Sequence, residues 1–490
     1  MSFLKKAYVP YAMLIAWFIC ALVSIFNITK VASRQCYFLN SWPFCKEFIS
    51  TSESVAQGVV LVSVFSFLSF GFIALWRKIE ESKKYPTLGF MVVSIVAACL
   101  VLPFSSFDLN YYFNVGKTVN LGSNPYISTW EIVPEYTSDA LVKSAEGVMY
   151  GPITVQTFHY VYVLSNGNIA IFIGLIKTLI ITAFVGCSIL TYSILKKYMP
   201  GTNRTSFCLF YLLQPLLLWE WVVNGHFDAW WLFWVLLAIG SAMKNKWWLV
   251  CVALSIGVWI KFIPILMFPW FALWWWQETN KENSKRQITQ LLIGVGLSAV
   301  ITVLVWAPYW TGLEVFSSLA IQSKWVIHSL FAVVYYTFQP LFESVMGSNF
   351  HWLLTRVVHG LLFGMVCYWL YPYIKKVLLI IIKKATWDMP QYVTALFVTM
   401  LVYSAVWQKS LWPWYVAWLL PFAVLILRSR PQEHIRKIYL YLSIAPLFFY
   451  VPWMLERGDT QALWFFYSTV ILIFIYPFAQ LYQWRKKQYE

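Results

Sequence analysis

Charged residues are scarce in this chain. Of its 490 residues only 11% are Asp, Glu, Lys or Arg, whereas 60% are hydrophobic. Soluble domains carry about 25% charged residues, so the charge is too sparse to cover a soluble surface of this size. Apolar runs long enough to cross a bilayer recur from one end of the chain to the other. The sequence therefore predicts an all-α fold, a polytopic transmembrane helical bundle with no separate soluble domain and no internal repeat.

The sequence motifs of several enzyme classes are also missing. There is no Walker A motif, no GxGxxG after a strand, no HExxH and no CxxC pair, so nothing points to a nucleotide-binding loop or a dedicated zinc site. The stretch "DLN" at Asp108 is not an Asp-x-Asp motif, so a divalent metal is not indicated and we expect no cofactor. The net charge of +16 lies in short basic clusters between apolar runs, which argues against a nucleic-acid partner.

The apolar runs give about 14 crossings, at roughly 20 residues per crossing. They lie at approximately 8–27, 57–76, 87–104, 169–195, 206–223, 229–243, 247–260, 262–276, 288–308, 350–372, 391–407, 411–428, 438–455 and 461–482. Most of the 36 basic residues fall in the connections on one side, and short cytoplasmic loops are rich in Lys and Arg. Both termini are therefore predicted to be cytoplasmic.

Two domains follow from this arrangement. Residues 1–86 are predicted to form an N-terminal pair of transmembrane helices with a short outer loop, and residues 87–490 the catalytic transmembrane domain. The second domain includes a long outer loop over 105–168, in which we expect short interfacial helices over the site. In the first outer loop, Cys36 and Cys45 either form a disulfide, as an oxidising exterior permits, or remain two free thiols.

Lys261 lies in the middle of the apolar stretch Trp247–Trp276. A lysine at the bilayer centre costs ~2.5–3.5 kcal/mol on insertion scales. Folding the stretch into a hairpin moves Lys261 to an outer turn, and we predict that arrangement.

Polar residues gather on the predicted outer side, where they could converge on one cavity. Asp108, Asp228 and Lys261 each adjoin a long apolar run, which favours a function for them. The others have bland alternatives: Arg356 could snorkel to headgroups, and His226 could cap a helix. Lys177, inside its segment, could pair with a buried carboxylate. The candidate site residues are Asp108, Tyr111, Tyr112, Asn224, His226, Asp228, Lys261, Arg356 and Lys409.

Asp108 is the strongest candidate for a general base. It follows the third segment, and the C-terminus of an outward-running helix is the wrong end for a negative charge, so a capping role is not expected. A carboxylate can deprotonate a hydroxyl, and Lys261, helped by Arg356 or Lys409, can hold a lipid-linked phosphate. This pair of groups suits a glycosyl transfer from a lipid phosphate.

At these residues the sequence resembles the GT-C glycosyltransferases. "FDLNYYFNVGKTVNLGSNPY" is similar to their first large outer loop, with its Asp, Tyr, Gly and Asn-Pro-Tyr. "NGHFDAWWLFWVLLAI", "WWLVCVALSIGVWIKFIPILMFPW" and "QKSLWPWYVAWLLPFAVL" resemble segments of the polyprenol-phosphate-mannose-dependent branch. The resemblance covers roughly residues 87–430, and two helices precede the usual first crossing.

The resemblance implies a membrane enzyme with its site outside and a polyprenyl-phosphate sugar, mannose favoured, as donor. Asp108 falls on the family's catalytic aspartate, and Lys261 on a lysine near the donor phosphate. The expected partners are this lipid-linked donor, a glycolipid, glycan or protein acceptor, and membrane lipids. The expected location is a bacterial plasma membrane, with the site on the extracytoplasmic face.

Two other functions remain open at this point. One is a transporter or flippase of a lipid-linked saccharide, which often shows repeats with interrupted helices in both halves. The sequence has no such repeat. The other is a lipid-linked glycan polymerase or ligase, which would take a pyrophosphate-linked oligosaccharide instead of a monosaccharide phosphate.

Overall fold

The computed structural model describes most of the chain in helices. The described residues are 12–20, 22, 51–82, 88–101, 106, 108–127, 148–198, 211–280, 284–317, 319, 329–347, 350–429, 433–451 and 471–489. No β-strand occurs among them, which confirms the predicted all-α class. Cys36 and Cys45 lie outside the described residues.

The helices are numbered here in chain order. They are α1 (12–20), α2 (Thr51–Ser82), α3 (Leu88–Leu100), α4 (Asp108–Asn120), α5 (Pro152–Leu164), α6 (Ile169–Tyr198), α7 (Pro215–Leu217), α8 (Asp228–Ala242), α9 (Trp247–Ile260), α10 (Phe268–Thr279), α11 (Ser284–Trp306), α12 (Leu330–Met346), α13 (Phe350–Ile381), α14 (Met389–Val402), α15 (Pro413–Ala417), α16 (Leu420–Ser429), α17 (Glu433–Leu442) and α18 (Tyr476–Tyr489). Shorter 3₁₀ turns are Ile263–Met267, Leu313–Phe316 and Ala445–Phe449, and π-helical turns are Leu218–Val223, Tyr403–Trp407 and Ile471–Ile475.

Several helices are long and apolar enough to cross a membrane. The five candidate spans are Val59–Arg77, Ile169–Lys197, Ser284–Trp306, Phe350–Ile381 and Met389–Trp407. Shorter apolar helices of 10–17 residues accompany them. The chain is thus a membrane protein, while the 14 crossings and the orientation of the termini stay predictions. The sequence predicted no segment over α12, an amphipathic helix in which only Phe331 and Ala332 are buried.

The apolar stretch around Lys261 is broken at that residue, while the hairpin with an outer turn stays a prediction. Helix α9 ends at Ile260, Lys261 adopts an extended backbone, and a 3₁₀ turn leads into α10. Pro264 and Pro269 stand at the starts of the 3₁₀ turn and of α10. Because proline has no N–H to donate, it favours the first turn of a helix over the interior. Helix α9 packs on α8 and α11, and α8 also packs on α6.

The predicted position of Asp108 at a helix C-terminus is wrong. Helix α3 ends at Leu100, and a new helix, α4, begins at Asp108. The backbone N–H of Asp108 donates to Ser106 Oγ at 3.2 Å. The carboxylate therefore stands at the positive end of a helix dipole, where a negative charge is favoured.

Among the residues that the structure describes, Lys177 pairs with no carboxylate. Its Nζ donates to the backbone carbonyls of Cys99, at 3.2 Å, and Val101, at 2.7 Å. These carbonyls lie at the C-terminal end of α3, where helix carbonyls have no intrahelical partner. The lysine thus ties α6 to the end of α3, a structural role.

The N-terminal helices pack against the segment that carries part of the site. Trp17 of α1 stacks on Trp219 with ring centroids 6.1 Å apart, and Phe65 of α2 meets the same ring edge-on at 4.8 Å. Trp219 belongs to the first π-helical turn, so α1 and α2 support that turn from behind.

Candidate active site

Asp108 is held through one of its two carboxylate oxygens. Tyr112 and Tyr150 donate their hydroxyls to Oδ2 at 3.1 and 3.3 Å, and His226 Nδ1 lies 3.0 Å from the same atom. Within the described part of the chain no residue donates to Oδ1. The Asp108 side chain is 27% exposed and lines a cavity. One face of the carboxylate is therefore fixed by the protein, and the other is available to a substrate.

Tyr150 is placed by the glycine that follows it. The Gly151 N–H donates to the carbonyl of Ile260 at 3.0 Å, and a Cβ on Gly151 would lie 2.0 Å from the carbonyl oxygen of Trp259. Only a residue without a side chain allows this approach to the end of α9. The turn thus brings Tyr150 from the outer loop and Lys261, which follows α9, to the same place.

The Asn-Pro-Tyr turn supports Tyr150 from the other side. Asn124 accepts the backbone N–H of Tyr126 at 3.1 Å and donates to the carbonyl of Tyr309 at 2.8 Å. The Tyr126 hydroxyl then donates to the carbonyl of Tyr150 at 2.9 Å. The motif is thus part of the scaffold around the carboxylate.

His226 joins Asp108 to a second carboxylate. Its Nε2 lies 3.2 Å from Glu220 Oε2, although the N–H does not point at that oxygen. Trp414 stacks on the imidazole with centroids 4.0 Å apart. The imidazole reaches this position through Gly225, which adopts a positive φ of 74°, a conformation that glycine adopts readily.

Glu220 is fully buried in the first π-helical turn. It accepts hydrogen bonds from the Tyr450 hydroxyl at 3.0 and 3.1 Å and from Asn224 Nδ2 at 3.1 Å. A π-helical turn is rare and occurs frequently at functional sites. Here it turns Glu220 toward His226, and the extra residue of the turn permits the bend that precedes α8.

The charges in this cluster shift the protonation of its members. Burial raises the pKa of the Asp108 carboxyl, but the charge and hydrogen bond of His226, with the charge of Lys261, outweigh it and hold that pKa below its ordinary value. Burial lowers the pKa of His226, but Asp108 and Glu220 outweigh it and raise that pKa to about 9. At neutral pH the cluster therefore holds an ionised Asp108 beside an imidazolium.

Asp228 and Lys261 form a second buried pair. Lys261 Nζ lies 2.6 Å from Asp228 Oδ1, which also accepts the indole N–H groups of Trp231 at 3.1 Å and Trp418 at 2.9 Å. Asp228 is fully buried, whereas the Lys261 side chain is 15% exposed. Lys261 also lies over the rings of Trp418 and Tyr150, at 4.9 and 5.3 Å from their centroids.

A cavity of about 690 Å³ opens beside both pairs. Its wall contains both charged or hydroxyl groups and apolar residues. The polar residues are Ser106, Asp108, Tyr150, Lys261, His359, Tyr403, Gln408, Lys409, Ser410 and Tyr415, and the apolar ones include Phe262, Ile263, Leu266, Leu319, Trp407, Trp412 and Trp418. This size and lining suit a ligand with a polar head and an apolar part.

The structure brings most of the predicted site residues together, in two layers. Asp108, Lys261 and Lys409 lie in the cavity wall. Tyr112, Asn224, His226 and Asp228 are fully buried behind it, and the Tyr111 hydroxyl accepts the N–H of Met149 at 3.4 Å. Arg356 is not in the wall. It is exposed and lies over the ring of Trp352, 5.2 Å from its centroid.

Sequence reasoning missed the supporting residues. Glu220 was visible as a carboxylate in an apolar run, which is a signal in itself, but its partner Tyr450 lies 230 residues away. Tyr150 was visible only as a neighbour of a Gly-Pro turn. Within the described residues no group of three His, Cys, Asp or Glu side chains is arranged to hold a metal ion. Asp108 and Glu220 instead contact opposite nitrogens of the imidazole.

One protein-family model matches more than half of the chain. The model for the family described as alpha-(1->6)-mannopyranosyltransferase, N-terminal domain (MptA_B family) matches residues 13–277, more than half of the chain. The match contains Asp108, His226 and Lys261 and ends before Lys409. No curated protein sequence matches the chain. The predicted enzyme class and the predicted resemblance to mannosyltransferases are confirmed, and the chain belongs to the alpha-(1->6)-mannopyranosyltransferase family.

Proposed function

We propose that this enzyme moves a mannosyl group from a polyprenyl-phosphate donor to an acceptor hydroxyl on the extracytoplasmic face of a bacterial plasma membrane. The observation that carries the proposal is the cavity wall, where Asp108, whose Oδ1 accepts no hydrogen bond from the described residues, faces the same space as Lys261 and Lys409. A base for the acceptor and cations for a departing phosphate are the two parts that this transfer needs.

The reaction is a single displacement at the anomeric carbon. Asp108 Oδ1 takes the proton of the acceptor hydroxyl, and the acceptor oxygen forms a bond to C1 of the mannosyl group. The bond between C1 and the phosphate oxygen breaks, and polyprenyl phosphate leaves with the electron pair. Lysine charge near that oxygen stabilises the negative charge that develops on it.

This single displacement, together with the family's linkage, defines the donor anomer. The family description names an alpha-(1->6) linkage, so the attacking group is assigned as a primary 6-hydroxyl of a mannose-containing acceptor. A single displacement inverts C1, and inversion yields an α-product only from a β-linked donor. We therefore assign a β-mannosyl phosphate on the polyprenyl lipid.

The lipid part of the donor is supported by the apolar wall. Phe262, Ile263, Ile265 and Leu266 all lie within five residues after Lys261 and line the same cavity. Ile265 is the most exposed of the four. A phosphate held at the lysines thus has apolar surface beside it for the first isoprene units.

The two lysines differ in how far their charge is already balanced. Lys261 is paired with the buried carboxylate of Asp228. Lys409 lies 4.9 Å from the ring centroid of Phe331 and, in the described part of the chain, is within ion-pair distance of no carboxylate. Burial lowers the pKa of Lys409, an effect that an arriving phosphate would reverse. We assign Lys409 the larger share of phosphate binding and Lys261 the smaller.

The proposal is tested with the purified chain in liposomes. The substrates are β-mannosyl phosphoryl polyprenol and a short alpha-(1->6)-mannoside with a hydrophobic aglycone, and the product linkage is read by NMR. We expect an added alpha-(1->6) mannose and release of polyprenyl phosphate. Transfer only from a nucleotide-linked mannose would overturn the donor assignment. Movement of the intact donor across the bilayer without transfer would indicate a flippase, and transfer only from a pyrophosphate-linked oligosaccharide a polymerase or ligase.

A further inference from the structure

His226 is a buried residue that takes no direct part in the proposed transfer. It does not line the cavity and is fully buried, so it cannot touch the acceptor or the donor. Its two nitrogens nevertheless contact two different carboxylates, Asp108 at 3.0 Å and Glu220 at 3.2 Å. A buried imidazole between two carboxylates can hold them in position, and their negative charges can stabilise its protonated form.

The surroundings of His226 contain few other ionisable groups. From α4 and the turn before α5, the phenols of Tyr112 and Tyr150 meet at Asp108 Oδ2. From the π-helical turn comes Glu220, whose oxygens accept the Tyr450 hydroxyl. Trp414 covers the ring. Of the residues that the structure describes, the further charged ones near the cluster are Asp228 and Lys261, which neutralise each other at 2.6 Å.

We propose that His226 is the positioning residue of this site: it fixes Asp108 through Oδ2, so that Oδ1 alone is presented to the acceptor, and Glu220 keeps His226 in that role. The inference rests on the proposed function, because it concerns the base of the transfer. It deepens that function by naming the carboxylate oxygen that takes the proton and the buried acid that holds His226 in place.

The geometry explains why three donors are needed. A carboxylate at a helix start can rotate about its terminal torsion, which exchanges the two oxygens. The hydroxyls of Tyr112 and Tyr150 and Nδ1 of His226 all contact Oδ2 from different elements, and these contacts oppose the rotation. Because a reacting atom displaced by 1 Å can cost about 10²-fold in rate, fixing the carboxylate has a direct effect on turnover.

The charge of His226 has a second effect, on Asp108 itself. An opposite charge in contact favours the ionised carboxylate, so the wild-type base stays ionised below the ordinary pKa of aspartate. Glu220, on the other side of the ring, favours the protonated form of His226 in the same way. Removal of His226 should therefore raise the pKa of Asp108, and removal of Glu220 should lower the pKa of His226.

Two single variants and their combination test the inference. His226→Gln removes the cation, so we expect kcat to fall by about 10²-fold with the donor KM unchanged and the acid limb of the kcat profile moved to higher pH. Glu220→Gln leaves the contact between Asp108 and His226, so we expect a smaller loss of kcat and an alkaline limb moved to lower pH. His226→Gln/Glu220→Gln removes one charge of each sign and controls for folding, which thermal melting monitors.

The outcomes separate this inference from the proposed function. If wild-type protein shows no transfer from the lipid-linked donor, the proposed function fails before any variant is compared. If wild-type protein transfers and both variants that fold keep the wild-type pH limits, His226 is only structural and the inference is overturned. If His226→Gln changes the donor KM rather than kcat, His226 belongs to donor binding and the inference is likewise overturned.

Discussion

The buried pair of Lys261 and Asp228 gives the sharpest prediction about stability. Asp228 is fully buried, and its Oδ1 accepts Lys261 Nζ at 2.6 Å together with two indole N–H groups. Lys261→Met keeps the apolar length of the side chain and removes the only cation that the structure places on this carboxylate among the described residues. Removing one partner of a buried ion pair costs about 3–5 kcal/mol, because a buried charge is left without compensation. We expect Lys261→Met to lower the melting temperature of the detergent-solubilised protein strongly.

The matched control is the double variant Asp228→Asn/Lys261→Met. The asparagine side chain introduced there keeps an oxygen for the indoles of Trp231 and Trp418 and carries no charge, so most of the lost stability should return. Replacing a whole buried pair with neutral groups is often close to neutral in stability. A Lys261→Met protein that melts like wild type would refute the reasoning. In the folded double variant, a raised donor KM would show that Lys261 also binds phosphate.

Three further predictions address topology, packing and the donor site. Cysteines introduced at Ser123 and at the exposed Lys244, in a background without other reactive thiols, should be labelled from opposite faces, with position 123 outside; labelling from one face would contradict the topology. Gly151→Ala should destabilise the fold by about 1–3 kcal/mol because its Cβ would meet the carbonyl of Trp259 at 2.0 Å, and an unchanged melting temperature would show that the turn yields instead. Lys409→Met should raise the donor KM with little effect on melting, whereas Lys409→Arg should retain most donor binding. If both variants have the wild-type donor KM, Lys409 is not part of the site.

The sequence predicted more of the site than of the helix boundaries around it. Asp108, Asp228 and Lys261 were visible because each polar residue stands beside a long apolar run, where polarity is costly. The helix start at Asp108 was not predicted, because the apolar run before it continues past the end of α3 without a visible break. A local pattern carries no information on Lys177, whose partners are backbone carbonyls 76 and 78 residues away.

Pairings across the chain could not be predicted for the same physical reason. The Asn-Pro-Tyr turn was recognisable as a motif, but its use, with Tyr126 bonded to the carbonyl of Tyr150, depends on tertiary packing. Glu220 and Tyr450 lie 230 residues apart in the chain, so their hydrogen bond also depends on tertiary packing. The π-helical turn lies in a run that is buried on all faces, so an amphipathic period does not reveal it.

The most direct test of the central claim is the rate of mannosyl transfer by Asp108→Asn at saturating donor. The amide keeps the size of the side chain and an oxygen for hydrogen bonds but cannot take the proton of the acceptor hydroxyl. Glu433→Gln, which changes an exposed carboxylate paired with Lys437 on α17, is the matched control and should transfer like wild type. If Asp108 is the general base, Asp108→Asn protein that thermal melting shows to be folded will keep its donor KM and lose about 10²–10⁴-fold in rate. A folded Asp108→Asn protein that transfers mannose at nearly the wild-type rate would contradict the account.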